Sequence, residues 1–204
     1  MFITLEGGEG VGKSTQARML AGALTTDGFP TLLTREPGGA PGAEVLRDLL
    51  LSRDHIWSAS AEVFLHFAAR SEHVERTIRP ALNDGLIVVC DRFADSTMAY
   101  QGYGLGADRD LIGALTRMLP VVPDLTLILE VSPCVAADRL ARRYQAADRY
   151  EVMDAGFHTR VAAGFAAIAA AEPDRCVAVS ADGDLSEVHG AICDAVARIL
   201  PGFA

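Results

Sequence analysis

The clearest chemical signal in the sequence is a glycine-rich segment that ends in Lys13 and Ser14. Residues 7–14 read Gly-Gly-Glu-Gly-Val-Gly-Lys-Ser and match the phosphate-binding pattern G-x-x-x-x-G-K-[ST]. Glycines let backbone N–H groups turn toward an anionic phosphate, the lysine can reach the outer phosphates of a nucleotide, and the serine hydroxyl can bind Mg²⁺. The expected nucleotide-binding loop comprises Gly7, Gly8, Gly10, Val11, Gly12, Lys13, Ser14 and Thr15.

Three arginines come from separate parts of the chain and could hold a second anionic substrate. Arg35 opens the segment Arg-Glu-Pro-Gly-Gly, Arg70 lies in a long helical pattern, and Arg92 follows Asp91 after an apolar run. Arginine forks suit bidentate contacts to phosphate or to base edges, although a surface salt bridge is the alternative for each of them. Asp91 ends the apolar run, where it could order Mg²⁺ or simply cap the following turn.

The elements that must position these residues alternate along the chain. Strands are expected near 2–6, 31–35, 86–91, 125–130 and 176–180, and helices near 13–26, 42–51, 59–79, 108–118, 133–143, 151–171 and 185–199. Strands that alternate with helices form a parallel sheet, and ligands bind beyond the carboxyl ends of its strands. Together with the glycine-rich loop, this predicts one α/β domain over 1–204: a three-layer P-loop NTPase fold with a five-stranded parallel sheet flanked by helices.

Composition excludes several classes of protein. The 204 residues carry 18 Lys plus Arg against 27 Asp plus Glu, a net charge of −9, which argues against a nucleic-acid partner. The longest apolar runs are too short to cross a membrane, and the N-terminal residues lack the features of a signal peptide. The four cysteines are widely spaced and form no CxxC pair, as expected in a reducing cytoplasm.

The motifs that follow the glycine-rich loop resemble those of the thymidylate kinases, which phosphorylate dTMP to dTDP. The likeness covers nearly the whole chain in the right order: REPGG at 35–39, AAR at 68–70, DRF-x-x-ST-x-AYQG at 91–102, PDLT at 123–126 and DRYE at 148–151. The REPGG and DRF-to-YQG pair is specific, whereas the glycine-rich loop alone is not. The resemblance implies ATP as phosphoryl donor, dTMP as acceptor, Mg²⁺ as cofactor and a homodimer.

The resemblance also assigns roles on the acceptor side. Arg35 and Arg92 match the arginines that hold the acceptor phosphate, and Arg70 matches the one that contacts the pyrimidine. Glu9 matches an acid that accepts the 3′-hydroxyl, and Tyr100 matches a ring that crowds the 2′ position, although a half-buried core tyrosine is the alternative. The substrate-binding set implied in this way is Glu9, Arg35, Pro37, His66, Phe67, Arg70, Arg92, Ser96, Thr97, Tyr100 and Gln101.

One position departs from the family pattern. Relatives place a phenylalanine four residues before the base-reading arginine, where it stacks on thymine, but this sequence has His66 there and Phe67 beside it. His66 and Arg70 share one helix face, whereas Phe67 follows the spacing of core residues. The stacking ring is therefore expected to be His66, with Phe67 as the alternative, and an imidazole buries less apolar area than a phenyl ring.

An arginine-rich segment near 139–151 is expected to be a lid that closes over ATP. The P-loop holds no arginine, so the resemblance implies the variant of the family that supplies its catalytic arginine from the lid. Arg143 is the first candidate and Arg149 the second, and Arg139 and Arg143 are expected to contact ATP. A solvated helix face is the alternative. The expected catalytic set is Lys13, Asp91, Arg92, Arg143 and Arg149, with Ser14 and Asp91 as metal ligands.

The expected mechanism needs no general base, because a phosphate acceptor already carries negative charge at neutral pH. A kinase that acts on a hydroxyl would instead need a carboxylate, and Asp91 or Glu9 could serve. Two alternatives therefore stay open: another small P-loop kinase, and a nucleotide-sensing protein without catalysis. Acceptor-dependent ATP turnover separates them.

Overall fold

Five parallel strands form one sheet at the centre of the molecule. The computed structural model describes residues 1–141 and 149–203, and within them the strand order is β2-β3-β1-β4-β5. The strands are β1 Phe2–Gly7, β2 Thr31–Arg35, β3 Ile87–Asp91, β4 Leu125–Glu130 and β5 Cys176–Ser180. The predicted α/β class and five-stranded parallel sheet are confirmed, and each predicted strand lies within one residue of its observed bounds.

Helices cover both faces of the sheet. They are α1 Lys13–Thr26, α2 Pro41–Leu51, α3 Ala59–His73, α4 Arg79–Asn83, α5 Ala94–Thr97, α6 Arg109–Arg117, α7 Pro133–Ala141, α8 Ala155–Ala171 and α9 Leu185–Ala197. Two π-helical segments, Val74–Ile78 and Met98–Gly104, join α3 to α4 and extend α5. None of the helices in 1–141 and 149–203 has the length and apolar character that a membrane span requires.

Side-chain alternation along β1 separates two cores. Ile3 and Leu5 pack with α1 and α9 on one face, whereas Phe2 packs with Val88 and the π-helical segment on the other. Glu6 falls on the second face and is completely buried there. Burial on both faces explains why β3 and β4 are mostly apolar, with an acidic residue at the carboxyl end of each.

The helical predictions need three corrections. The helix predicted over 59–79 continues to Asn83 through the π-helical segment, and no helix was predicted where α5 and Met98–Gly104 lie. The missed helix contains small and polar residues without apolar periodicity, and packing against α8 holds it in place. The predicted helix over 151–171 begins at Ala155, where the Asp154 carboxylate caps it by accepting a hydrogen bond from the Phe157 N–H at 2.8 Å.

The carboxyl ends of the strands meet at one edge of the sheet. Leu5 and Arg35 both pair with Asp91, so β1, β2 and β3 end side by side. Gly7 pairs with Leu129 across β1 and β4. The residues that follow these strands are therefore neighbours in space, as the sequence predicts.

Candidate active site

The glycine-rich loop between β1 and α1 has the backbone that its sequence requires. Gly10 and Gly12 adopt left-handed φ values of 74° and 93°, which residues with a Cβ rarely adopt. Gly12 caps α1, and its carbonyl accepts the N–H groups of Thr15 and Gln16. The positive end of α1 therefore faces the loop, an arrangement that suits an anionic ligand.

Lys13 and Ser14 lie at the mouth of this loop, close to Asp91. The Lys13 ammonium donates to the Gly8 carbonyl, and the Ser14 hydroxyl donates to Asp91 Oδ2. Burial, together with the charge of Arg92, lowers the pKa of Lys13 to about 8. Within the described part of the chain, the buried Asp91 Oδ1 has no hydrogen-bond partner.

Arg92 is the centre of a polar cluster next to the loop. Its guanidinium donates to Glu9 Oε1 at 2.7 Å, to the Tyr100 hydroxyl at 3.0 Å, to Ser96 Oγ at 3.1 Å and to the Gly7 carbonyl at 3.1 Å. The Tyr100 hydroxyl donates in turn to Glu9 Oε1 at 2.6 Å. These bonds hold the arginine fork in one orientation beside the phosphate-binding loop.

The charges in this cluster stabilise one another. Burial alone would raise the pKa of Glu9, but the charges of Arg92 and Lys13 outweigh it and lower that pKa to about 2. Burial likewise opposes the charge on Arg92, yet Tyr100 and Glu9 raise its pKa above its ordinary value. Glu9 and Arg92 therefore form an ion pair throughout the neutral range.

A buried carboxylate beneath the cluster holds the turn that carries Arg92. Arg92 has a φ of 72°, the left-handed region that costs a non-glycine residue free energy. The next residue, Phe93, donates its N–H to Glu6 Oε1 at 2.7 Å, and the Ser96 hydroxyl donates to Glu6 Oε2. Burial and the charge of Asp95 raise the pKa of Glu6 to about 7. Glu6 was not among the predicted site residues.

Arg70 enters the site from α3 and is fixed by a second carboxylate that the sequence analysis did not single out. Its Nε donates to Glu36 Oε2 at 2.7 Å, and Nη2 donates to the Phe93 carbonyl at 3.0 Å and to Thr97 Oγ1 at 3.1 Å. The side chain is only 2% exposed, and Nη1 has no hydrogen-bond partner among the described residues. Arg70 is thus oriented by the chain, with one donor unused.

The loop that carries Arg35 is organised by Glu44 and by α3. Arg35 donates to both oxygens of Glu44, and Glu44 Oε1 also accepts the Gly39 N–H at 2.8 Å. A Cβ on Gly39 would lie 2.3 Å from His73 Nε2, so only glycine lets the loop pack against α3. The Pro37 carbonyl accepts a hydrogen bond of 2.6 Å from Arg47. The Arg35 side chain remains 53% exposed at the edge of the site.

The opposite wall of the site is formed by His66, Gln101 and Tyr150. The Gln101 amide donates to the Tyr150 hydroxyl at 2.9 Å, and His66 Nε2 lies 3.3 Å from the same hydroxyl. Burial and the charge of Arg70 lower the pKa of His66 to about 3, so its imidazole is neutral at physiological pH. A neutral ring is compatible with stacking on a base.

Most of the predicted site residues surround one cavity of about 370 Å³. Those that line it are Glu9, Gly10, Gly12, Lys13, Ser14, Thr15, Arg35, Pro37, His66, Arg70, Asp91, Arg92, Ser96, Thr97, Tyr100, Gln101 and Arg139. A second cavity of about 320 Å³ adjoins it between α1 and α9, and Gly12, Thr15 and Arg139 line both. Val11 lines only this second cavity, and Gly7 and Gly8 precede the lining residues in the loop.

Two predicted site residues lie elsewhere in the structure. Phe67 follows His66 on the helix, and successive helical residues point about 100° apart. The Phe67 ring therefore packs in the core with Val63, Ala107 and Ile112. Arg149 does not line the cavity and instead pairs with the buried carboxylate of Glu62. Phe67, the alternative stacking ring, and Arg149, the second candidate for the catalytic arginine, therefore do not line the cavity in this structure.

Arg143, the first candidate for the catalytic arginine, lies outside the described residues.

Among the described residues, some that hold other side chains of the site were not predicted, and they include Glu6, Glu36, Glu62 and Tyr150. Glu6, Glu36 and Tyr150 could have been noticed, because each adjoins or belongs to one of the motifs. Glu62 gives no such signal, since an acid on an amphipathic helix ordinarily faces solvent.

Comparisons with known proteins show the family to which the chain belongs. The family model described as thymidylate kinase matches residues 5–192. The chain belongs to the thymidylate kinase family. Members of this family use ATP to phosphorylate dTMP to dTDP in dTTP synthesis, and the chain has their P-loop NTPase fold.

Individual relatives match over nearly their whole length. The chain is 51% identical over 200 residues to a thymidylate kinase of Gluconobacter oxydans, covering 96% of this chain and 94% of the relative. It is 50% identical over 202 residues to one of Caulobacter vibrioides, covering 98% and 97%. The crystal structure of thymidylate kinase from Ehrlichia chaffeensis superposes with a TM-score of 0.80 at 35% identity, covering 96% of this chain and 98% of that one.

Proposed function

We propose that the larger cavity is where this chain transfers the γ-phosphoryl group of ATP to dTMP. The observation that carries the proposal is that Arg92 and Glu9, paired at 2.7 Å, line the same cavity as Lys13 of the phosphate-binding loop. Donor and acceptor phosphates would then meet between two fixed cations. Phosphoryl transfer depends mainly on such positioning and on charge neutralisation.

On the donor side, the ATP phosphates would lie against the loop backbone and the start of α1. Lys13 would reach the β- and γ-phosphates, and the adjoining cavity would take the rest of the nucleotide. Arg139, which borders both cavities and donates to the Gly183 carbonyl at 3.2 Å, is well placed to contact ATP. We propose Arg143 as the lid arginine at the transferred group, on the resemblance alone.

On the acceptor side, Arg92 and Arg35 would bind the dTMP phosphate and Arg70 the pyrimidine. Glu9 would accept the deoxyribose 3′-hydroxyl, and the Tyr100 ring would crowd the 2′ position. We assign the base wall to His66, Thr97 and Gln101, with Ser96 and Pro37 beside them. The arginines suit this work because their forks are held by carboxylates before a ligand binds, so less conformational freedom is lost.

The residues also fit Mg²⁺ as a cofactor. Ser14 supplies a hydroxyl and Asp91 a carboxylate, and Asp91 Oδ1 is a buried acceptor with no partner among the described residues. Mg²⁺ is commonly held by one or two protein oxygens together with substrate phosphates and water. When bound, the metal neutralises phosphate charge, while Ser14 and Asp91 hold the loop and β3 together.

No general base is required in this mechanism. The acceptor phosphate is itself the nucleophile, and Glu9, with a pKa of about 2, stays ionised and paired with Arg92. Glu9 thus orients the arginine and the sugar instead of moving a proton. Burial of Lys13 and Arg92 strengthens their interaction with phosphate, because the local dielectric constant is low.

We further propose that residues 1–204 form one domain that works as a cytoplasmic homodimer. The family resemblance is the support for the dimer, and Phe64 on α3 and Val45 on α2 are exposed apolar side chains available for it. The molar mass in solution, measured by light scattering, should be twice that of the 21.6 kDa chain. A monomer at micromolar concentration would contradict this part of the proposal.

The reaction is tested by coupled ADP release with ATP, Mg²⁺ and a panel of acceptors: dTMP, dUMP, dCMP, UMP, AMP, GMP and thymidine. We expect dTMP to lead and thymidine to be inactive. Arg92→Met should reduce kcat/KM for dTMP by at least 100-fold, whereas Arg76→Met, whose side chain is 71% exposed, should leave it unchanged. Phosphorylation of thymidine would mean a hydroxyl acceptor, and ATP binding without turnover would indicate a sensor.

A further inference from the structure

Glu62 is a carboxylate with no exposed surface, and none of the motifs discussed above contains it. It lies on α3, one helical turn before His66 and two before Arg70. Its Oε1 accepts a hydrogen bond from Arg149 Nη2, and its Oε2 accepts from the Tyr150 hydroxyl at 2.9 Å and from the Gln101 amide at 3.1 Å. One buried anion therefore joins three segments of the chain.

Arg149 is held at this anion rather than in the cavity. Its side chain is 16% exposed, its guanidinium lies 5.2 Å from the centre of the Tyr150 ring, and Nη1 reaches the Leu50 carbonyl at 3.5 Å. A buried carboxylate is costly unless a cation and hydrogen bonds compensate it, and Arg149 supplies both. Moving Arg149 to a phosphate would leave Glu62 without its counter-charge.

The same carboxylate sets the wall of the acceptor site. The single proton of the Tyr150 hydroxyl is donated to Glu62, so Gln101 and His66 must both donate to the tyrosine oxygen. This count assigns the proton of neutral His66 to Nε2 and leaves Nδ1 as an acceptor. Glu62 thus fixes the placement of Tyr150, the orientation of Gln101 and the tautomer of His66.

We propose that Glu62 anchors the end of the lid segment to the acceptor wall, and that Arg149 is a positioning residue that acts through Glu62 and not on the transferred phosphoryl group. The proposal rests on the function proposed above, since it names which arginine of the lid segment does not touch the reacting atoms. It also makes the fit of dTMP depend on a residue that contacts it only through others.

A double-mutant cycle tests the proposal. Glu62→Gln, Arg149→Met and the double variant are compared with wild type in kcat and in KM for dTMP and for ATP. If Arg149 acts through Glu62, removing both should cost no more than removing one, and kcat of the double variant should stay within about tenfold of wild type. If Arg149 stabilises the transferred group directly, kcat of the double variant should fall at least 1000-fold, as expected for a catalytic arginine, which would overturn the proposal.

The choice of variants separates an effect on folding from an effect on catalysis. A single variant leaves an unpaired group in the buried site, whereas the double variant does not change the net charge there, so the test stands on the double variant if a single one does not fold. Glu75→Gln with Arg79→Met is the matched control, an exposed pair on the same helical region that should leave kinetics unchanged. Wild-type turnover of dTMP is measured first, so its absence would reject the proposed function and not the anchor.

Tyr150→Phe supplies a readout that a purely structural role would not give. It keeps the ring and removes the hydroxyl that links Glu62 to His66 and Gln101. We expect KM for dTMP to rise about fivefold, in line with the loss of buried hydrogen bonds, while KM for ATP changes little. Equal effects on the two KM values would contradict the link to the acceptor wall.

Discussion

Arg70 and His73, which are three residues apart on α3, contact the two different oxygens of one buried carboxylate, that of Glu36. The Arg70 Nε donates at 2.7 Å and His73 Nδ1 lies at 3.0 Å, while His73 Nε2 lies 2.7 Å from Thr34 Oγ1. Strand β2 and helix α3 are thereby joined through polar groups, and the side chains of Arg70, His73 and Glu36 have almost no exposure. The arginine proposed to contact the pyrimidine is held from behind before any ligand arrives.

Glu36→Gln should weaken both the fold and acceptor binding. It leaves the buried Arg70 guanidinium without its counter-charge, and breaking a buried pair costs about 3 kcal/mol in the free energy of unfolding. We expect KM for dTMP to rise at least tenfold because the Arg70 fork loses one of its supports. Urea unfolding and steady-state kinetics measure the two effects. Glu72→Gln, which disrupts an exposed pair with Arg76, should cost less than about 1 kcal/mol, and similar losses in both variants would contradict the role of Glu36.

ATP affinity should decline as the pH rises above 8. Burial lowers the pKa of Lys13 from 10.5 to about 8, so the free protein loses this positive charge in mildly alkaline solution. The dissociation constant of ATP, measured by calorimetry, should increase by about tenfold per pH unit above that point.

The lowered pKa of Lys13 also makes the free energy of unfolding depend on pH. Between pH 8 and 10.5 the unfolded chain binds more protons than the folded one, so the contribution of Lys13 to the free energy of unfolding rises with pH across this window.

Lys13→Met is the control for the ATP titration, and it should bind ATP weakly and without an inflection near pH 8. An unchanged inflection in that variant would assign the titration to another group.

Substitutions of Tyr100 should separate two contributions of this side chain. Tyr100→Phe removes the hydroxyl bonded to Glu9 and Arg92 but keeps the ring, so kcat/KM for dTMP should fall about tenfold, equivalent to about 1.4 kcal/mol. Tyr100→Ala also removes the ring and should increase the turnover of a ribonucleotide acceptor relative to dTMP. The ratio of kcat/KM for UMP and dUMP measures this selectivity, and an unchanged ratio in Tyr100→Ala would exclude steric crowding at the 2′ position.

His66→Phe should strengthen the binding of dTMP. A phenyl ring buries more apolar area on a base than an imidazole, and it gives up only a long contact of 3.3 Å with the Tyr150 hydroxyl. We expect the dissociation constant for dTMP to fall about threefold, and to rise in His66→Ala. Because the pKa of His66 is about 3, dTMP binding by wild type should show no His66 titration between pH 5 and 8. Weaker binding in His66→Phe would mean that the imidazole provides a hydrogen bond and not a stacking surface.

Short sequence patterns were sufficient to predict the parts of the molecule whose structure depends on residues close together in the chain. The loop at 7–14 could be placed because its glycines, lysine and serine serve one ligand at fixed spacing, and the apolar strands could be placed because they are buried on both faces. Arg70 and Arg92 were recognised within their motifs. The helix at 94–104 could not be predicted, because small and polar residues become helical there only when α8 packs on them.

The carboxylates that position the arginines required the fold. Glu36 and Arg70 are 34 residues apart, and Glu62 and Arg149 are 87 apart, so no spacing rule connects them. For the same reason Arg149, taken from its motif, was expected at the phosphates and not at Glu62. A sequence shows which charges exist, but the partner of each depends on which elements pack together.

The first glycine of the phosphate-binding motif has a role in the sheet as well. A Cβ on Gly7 would lie 2.4 Å from the Leu129 carbonyl oxygen of the neighbouring strand, and the residue has a φ of 134°. A homologue that had lost ATP binding through changes at Lys13 or Ser14 would therefore still need Gly7 for β1 and β4 to lie side by side. Such a homologue would keep this glycine of the motif because the sheet requires it, even after all catalysis had been lost.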